Sequence, residues 1–291
     1  MTVPLGRLYD GLLLHHSGTE GPAVVFLPGA GLVGLDFLNV QALVAEFTTS
    51  VVYDRGGTGW SAATALPRSA AEVADEARRL LATAGVPGPY VLVGHSLGAF
   101  YARRYAQLFP DEVAGLVLLD PGHEDILEYL PAQATEMAEQ MKIDPEEMPD
   151  LTAEQVEASR NALRRLYATW PDAVLEPLVE HHLAEWRTGL REAADLETEV
   201  YGELRGGGGL PDVPLVVLSA GGQNPYWAKF ASPEFLAEAR TGLFAMHATM
   251  AGPRGEHRVA EDASHQYLTV EQPDAVVRAV RDVVEAARQV G

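Results

Sequence analysis

The residue in this chain best suited to act as a nucleophile is Ser96. It stands in Gly94-His95-Ser96-Leu97-Gly98, a G-x-S-x-G run that follows the apolar Tyr90–Val93 and opens a helix-forming stretch, Leu97–Phe109. A strand that turns straight into a helix leaves the serine on a tight, strained bend with its hydroxyl exposed. Glycine is needed at 94 and 98 because side chains there would run into neighbouring backbone. The unpaired N–H groups at the start of the helix favour a negative charge that develops beside them. A hydroxyl is a poor nucleophile until a base removes its proton, so this chemistry calls for a histidine. Nine are present. His15 and His16 fall in an N-terminal strand or hairpin. His95 lies inside the bend, where it is expected to point away from the reacting face. His181 and His182 fall in a helical stretch in mid-chain, and His247 and His257 come near a last strand. His265 stands alone in Ala263-Ser264-His265-Gln266-Tyr267-Leu268, after a short strand, Glu256–Ala260, and ahead of a helix opened by Pro273.

The elements that must position these groups are legible as short apolar, β-branched runs: Ala23–Leu27, Ser50–Tyr53, Tyr90–Val93, Gly115–Leu119 and Leu215–Leu218. Runs of this kind suit parallel strands buried on both faces. Helical patterns lie between them at Phe37–Phe47, Ala70–Ala84 and Leu97–Phe109. A final one spans Pro273–Gln289, with Val276, Val277, Val280, Val283 and Val284 on one face. The alternation predicts an α/β fold, a doubly wound and mostly parallel sheet. The alternation stops after Asp120. Residues 122–210 contain no strand pattern, are rich in Glu, Ala, Leu and Arg, and are cut into short helices by prolines. They end in Gly206–Gly209, which reads as a flexible hinge. The expectation is a core formed by residues 1–121 and 211–291, with residues 122–210 inserted as a helical cap.

The bend resembles the nucleophile elbow of the α/β-hydrolase superfamily. Two other stretches agree with that resemblance. Phe26-Leu27-Pro28-Gly29-Ala30-Gly31 is similar to the family's oxyanion loop, with Pro28 where many members have histidine. Tyr53-Asp54-Arg55-Gly56-Gly57-Thr58-Gly59-Trp60-Ser61 is similar to its Asp-Arg-x-Gly-x-Gly-x-Ser loop, where the Asp and Arg are expected to brace loops near the site. The resemblance implies a cofactor-free serine hydrolase. Ser96 would be the nucleophile, His265 the base (His257 in reserve), and the backbone N–H groups of Ala30 and Leu97 an oxyanion hole. It also implies a carboxylic ester substrate, with lactones and amides behind it.

The acid is less direct. The family usually places it after the strand that follows the cap, but here that strand is followed by Ser219-Ala220-Gly221-Gly222-Gln223-Asn224, without a carboxylate. Asp120, at the C-terminal tip of the strand after the elbow helix, lies at the edge where active groups of open α/β sheets gather. Some members of the superfamily resemble this arrangement, and Glu124 and Asp125 stand as alternatives. Trp170, Trp186, Tyr129 and Tyr167 of the cap, with Trp227 and Phe230 after it, are expected to shape an apolar pocket over Ser96.

Other classes fare worse. Acidic residues outnumber basic ones 41 to 21, a formal charge of −20 that disfavours nucleic acid and anionic membranes as partners. There is no cysteine, hence no disulfide and no thiolate site. No metal motif or P-loop is present, and no cofactor is expected. Neither a secretory leader nor a membrane span is apparent, so a cytoplasmic protein is the expectation. A non-catalytic module that binds a small ligand, a C–C hydrolase and a perhydrolase remain as alternatives on the same fold.

Overall fold

The computed structural model describes residues 3–140, 144–222 and 231–290. Its centre is an eight-stranded sheet made of β1 (Arg7–Tyr9), β2 (Leu12–Ser17), β3 (Ala23–Leu27), β4 (Ser50–Tyr53), β5 (Tyr90–His95), β6 (Val113–Leu119), β7 (Leu215–Ala220) and β8 (Glu256–Ala260). The strand order is β1-β2-β4-β3-β5-β6-β7-β8. The β1–β2 hairpin and the β2–β4 pair are antiparallel, and all other pairs are parallel.

The strands are uniformly apolar because both faces are covered. Along β3, Ala23, Val25 and Leu27 pack into one apolar cluster while Val24 and Phe26 pack into the other, the two-residue alternation of a pleated strand. The first cluster is completed by α2 (Ala70–Thr83) and α3 (Leu97–Leu108), and the second by α1 (Leu38–Val44) and the last helix. Helix α2 begins where Ser69 and Glu72 form a reciprocal capping box, satisfying two N–H groups that the first turn leaves unpaired. The last helix, Pro273–Val290, buries Val276, Ala279, Val280, Val283 and Val284, so one valine-rich stripe glues it to the sheet. Each buried valine contributes about 1.5–3 kcal/mol.

Between β6 and β7 the chain builds only helices and turns among the described residues. They include α4 (Gln133–Gln140), α5 (Ala153–Leu166), α6 (Asp172–Ala184), α7 (Thr188–Glu192), a π turn (Glu197–Tyr201) and α8 (Gly202–Gly206). After β7 come α9 (Pro233–Ala251), then β8, α10 (Leu268–Glu271) and α11 (Pro273–Val290). The insertion docks through a third apolar cluster, in which Tyr167, Trp170, Val174 and Leu178 meet Val33 and Leu35. A buried polar knot ties it further. Asp36 accepts hydrogen bonds from the Tyr167 hydroxyl (2.7 Å), from His182 Nε2 (2.8 Å) and from the Val33 N–H (2.7 Å). The glycine run at 206–209 is less free than expected of a hinge, because the Gln107 amide on α3 donates to the carbonyls of Leu204 and Gly208. No helix among the described residues is long and apolar enough to cross a membrane.

Candidate active site

Ser96 sits where β5 ends and α3 begins, with φ 50° and ψ −117°. This is a strained backbone for a residue with a side chain, held by the close packing of its neighbours. A Cβ on Gly98 would meet the Leu27 carbonyl and lie 2.6 Å from Pro28 O, and one on Gly94 would lie 2.6 Å from Ala99 Cα. The Ser96 N–H is fixed on Leu119 O at 3.0 Å.

The turn between β8 and α10 brings His265 to this serine. Its Nε2 is 2.9 Å from Ser96 Oγ, and its Nδ1 is 2.6 Å from Asp120 Oδ2. Asp120 lies just past the tip of β6 at φ 40°. Its N–H donates to Leu218 O (2.7 Å) and its Oδ1 accepts the Ala220 N–H (2.9 Å), so the carboxylate is braced against β7 as well as against the histidine. Burial alone would raise the Asp120 pKa. The hydrogen bond and charge of His265, with help from His247 and the Ala220 N–H, more than offset this and hold the group below the ordinary aspartate value. It therefore stays ionised at neutral pH.

His95 is turned away from the serine hydroxyl. Its Nε2–H donates to the backbone carbonyl of His265 (2.7 Å), which pins the histidine-bearing turn. Burial, reinforced by nearby His265, pushes His95 down to about 4, so it stays neutral. Leu97 opens α3, where backbone N–H groups have no helical partner. Ala30, in the loop after β3, lines the same cavity as Ser96. Ala30, Ser96, Leu97, Asp120 and His265 all line one cavity of about 420 Å³, whose remaining wall is mainly apolar.

The sequence profile of the alpha/beta hydrolase family matches residues 24–279. The chain belongs to the alpha/beta hydrolase family. Its sequence is 38% identical over 104 residues to the human (lyso)-N-acylphosphatidylethanolamine lipase, covering 34% of this chain and 30% of that one. Across the curated relatives matched first, the chain spans from 16% to 46% of their length. Two solved structures resemble it along nearly its whole length. An esterase from Thermogutta terrifontis covers 95% of this chain and 93% of its own at 23% identity, with a TM-score of 0.58. A putative epoxide hydrolase from Pseudomonas aeruginosa covers 96% and 93% at 21% identity, with a TM-score of 0.67. At these identities the likeness is one of fold.

The geometry of this alpha/beta hydrolase sorts the remaining candidates. Glu124 is held by a bidentate pair with Arg103 of α3 (2.7 Å each), and Asp125 by Arg205 (2.8 Å), so both carboxylates are committed elsewhere. His257 bonds Ser219 Oγ (2.7 Å) on the neighbouring strand rather than the nucleophile. The expected pocket aromatics are the main correction. Trp170 lines no part of the cavity over Ser96. Its indole N–H donates to Leu35 O (2.8 Å) and its ring is packed with Tyr167, so it anchors the insertion. Tyr167 is likewise spent on Asp36, and Tyr129 does not reach the cavity wall. Trp186 lines a second cavity, which shares Ala30 with the first, together with Leu163 and Tyr267. Trp227 and Phe230 lie outside the described residues.

Among the described residues the wall over Ser96 uses Phe100 from the elbow helix, Leu130 and Leu196 from the insertion, and Leu236, Leu243 and Phe244 from α9. The apolar spacing at 236, 243 and 244 was a helical signal available in the sequence. His247, also on α9, was missed as a neighbour of the acid. Its Nε2 bonds Pro121 O (2.9 Å), its Nδ1 bonds Ser219 Oγ (2.6 Å), and that Nδ1 lies 4.0 Å from Asp120 Oδ1.

Proposed function

We propose that the protein is a serine hydrolase that cleaves a carboxylic ester of a small, largely apolar substrate, with a lactone or amide as the next choice. One observation carries this reading. Ser96 Oγ, the His265 imidazole and the Asp120 carboxylate lie in a single hydrogen-bonded row, 2.9 Å and 2.6 Å apart, on a nucleophile elbow.

In the proposed cycle Asp120 keeps the Nδ1–H tautomer of His265, which leaves Nε2 free to accept the serine proton. Ser96 Oγ attacks the ester carbonyl. The oxygen that becomes negative is held by the N–H groups of Ala30 and Leu97, each such donor being worth about 10²–10³ in rate. His265 then passes its proton to the departing alkoxide, and an acyl-enzyme remains. A water activated by the same nitrogen releases the acid. The names carried by the lipase and esterase relatives agree with this class of reaction. We assign residues 122–210 the role of a cap over a core of residues 1–121 and 211–291. The apolar wall and volume of the cavity favour an acyl or alkoxy group of modest size.

Reaction with a fluorophosphonate probe, together with hydrolysis of short p-nitrophenyl esters, tests the reading. Labelling and turnover that both vanish in Ser96→Ala support it. A wild-type protein inert to probe and esters alike removes it, and leaves a ligand-binding module on a hydrolase fold.

A further inference from the structure

The loop that carries Ala30 is held by two charged side chains that no part of the proposed cycle uses. Arg55, from the loop after β4, is 2% exposed, and so is Glu192, from α7 of the cap. Arg55 Nη1 donates to Pro28 O (2.6 Å) and Nη2 to Gly29 O (3.0 Å). The same guanidinium meets Glu192 Oε1 through Nε (2.9 Å) and Nη2 (2.7 Å). The other carboxylate oxygen, Oε2, accepts the Gly31 N–H at 2.8 Å.

These bonds fall on the two peptide groups that flank Ala30. A peptide unit is planar, with its C=O and N–H pointing in opposite directions. The Gly29 carbonyl and the Ala30 N–H belong to one such plane, so fixing that oxygen on Arg55 fixes the direction of the Ala30 N–H. The next plane, which joins the Ala30 carbonyl to the Gly31 N–H, is fixed by Glu192. A cation on the Gly29 oxygen also polarises that peptide and strengthens its N–H as a donor. Backbone contact adds a third constraint: a Cβ on Gly189, at the start of α7, would lie 3.0 Å from Gly31 Cα and N.

We infer that Arg55 and Glu192 are positioning residues that aim the Ala30 N–H at the developing oxyanion, and that this donor is set only while the cap is seated, because Glu192 belongs to the cap. The inference rests on the Ser96 reading given above. Pro28 is consistent with it, since the loop takes its order from Arg55 and Glu192 and needs no histidine side chain at that position.

The test compares wild type with Glu192→Gln, Gly189→Ala and the paired variant Arg55→Met/Glu192→Leu. The last exchanges a buried ion pair for apolar groups of similar size, a replacement that proteins often tolerate. Active sites are first titrated with fluorophosphonate so that rates are expressed per functional Ser96. Each variant is then assayed with a p-nitrophenyl ester and its thiono analogue. Sulfur is larger and a weaker acceptor than oxygen, so a well-formed hole prefers the ester and a distorted one loses that preference. The paired variant is expected to lose about 10²-fold in kcat per titrated site, the scale of one oxyanion donor. KM is expected to change little and the ester-to-thionoester ratio to fall in step. Glu192→Gln and Gly189→Ala should fall between wild type and the pair. Variants that fold and keep both the wild-type per-site kcat and the wild-type ratio overturn the inference while the Ser96 reading stands. If the paired variant does not fold, Gly189→Ala, which removes no charge, decides the matter on the same two readouts. A wild-type protein that is not labelled at all sinks the Ser96 reading first, and this inference with it.

Discussion

Replacing Asp120 by asparagine removes one charge and almost no volume, and the structure dictates what the amide can do there. The native carboxylate accepts two hydrogen bonds, from His265 Nδ1 at 2.6 Å and from the Ala220 N–H at 2.9 Å. An asparagine has one oxygen to offer. If that oxygen serves Ala220, the amide NH₂ faces His265 Nδ1, which must then be an acceptor. The imidazole proton moves to Nε2, and the nitrogen facing Ser96 can no longer take the serine proton. If the amide flips, its NH₂ meets the Ala220 N–H, and an unpaired buried donor costs about 1–3 kcal/mol. The first orientation is therefore favoured, and it places the wrong tautomer beside the nucleophile. In serine triads in general the wrong tautomer lowers kcat by about 10⁴, which corresponds to about 5.4 kcal/mol at about 1.36 kcal/mol per factor of ten. The assay is kcat/KM on a short p-nitrophenyl ester, with the rate of fluorophosphonate labelling as a second measure. Circular dichroism should show an unchanged fold. A folded Asp120→Asn protein within tenfold of wild-type turnover would refute the assignment of Asp120 and the tautomer argument together.

Three further outcomes are expected. Gly98→Ala should abolish labelling and lower the thermal midpoint, because the new methyl group meets the Leu27 carbonyl and overpacking of this kind costs about 1–3 kcal/mol; a variant with wild-type stability and activity would contradict the elbow packing. Arg103→Met should destabilise by about 3–5 kcal/mol in urea unfolding, since it leaves Glu124 charged and buried, while Arg103→Met/Glu124→Leu should recover much of that loss. Docking of α6 on the core should depend on pH through Asp36 and His182. Burial opposes charge on both, but their mutual attraction wins: the Asp36 pKa is held below the ordinary aspartate value and the His182 pKa above the ordinary imidazole value. The Asp36 contribution is then full above about pH 3.9 and lost as pH falls through its depressed value, whereas the His182 contribution is full below about pH 6.5 and lost as pH rises through its elevated value. Urea unfolding should show His182→Asn removing stability at about pH 5.5 and progressively less as pH rises past the folded His182 value; an equal loss at every pH would count against the ion pair.

Much of this fold was legible in the sequence because its strands are buried on both sides. Five apolar runs could hardly have been anything else, and the observed β3, β4, β5, β6 and β7 start or end within a few residues of them. The N-terminal β1–β2 hairpin was harder to delimit, because its half-exposed residues carry a weaker pattern. Ser96 was readable because the bend imposes glycines at 94 and 98. His265 was readable only by combining its isolation with the resemblance to a family. Trp170 and Tyr167 lie outside the cavity over Ser96 for a physical reason. Trp170 and Tyr167 have both a large apolar surface and a polar atom to satisfy, and such residues are as useful for anchoring a helix as for touching a ligand. Sequence alone does not say which surface they face. The Arg55–Glu192 pair was out of reach as well, since it joins residues 137 positions apart that only the docked α7 brings together.

One carboxylate links the end of the strand that the chain leaves with the far end of the strand it builds on coming back. Asp120 closes the exit, and its second oxygen lands on Ala220 at the end of the return strand. The acid is thus braced by the two strands rather than by the helices between them, which makes the excursion a natural module for exchange. The exceptions are the buried charged contacts that the segment makes with the core: Glu192 on Arg55, His182 on Asp36 and Glu124 on Arg103. A transplanted segment that does not bring an anion to the place of Glu192 would strand the Arg55 guanidinium as a lone cation in the interior, so compatibility of such chimeras should depend on these charged positions as well as on how well the helices fit.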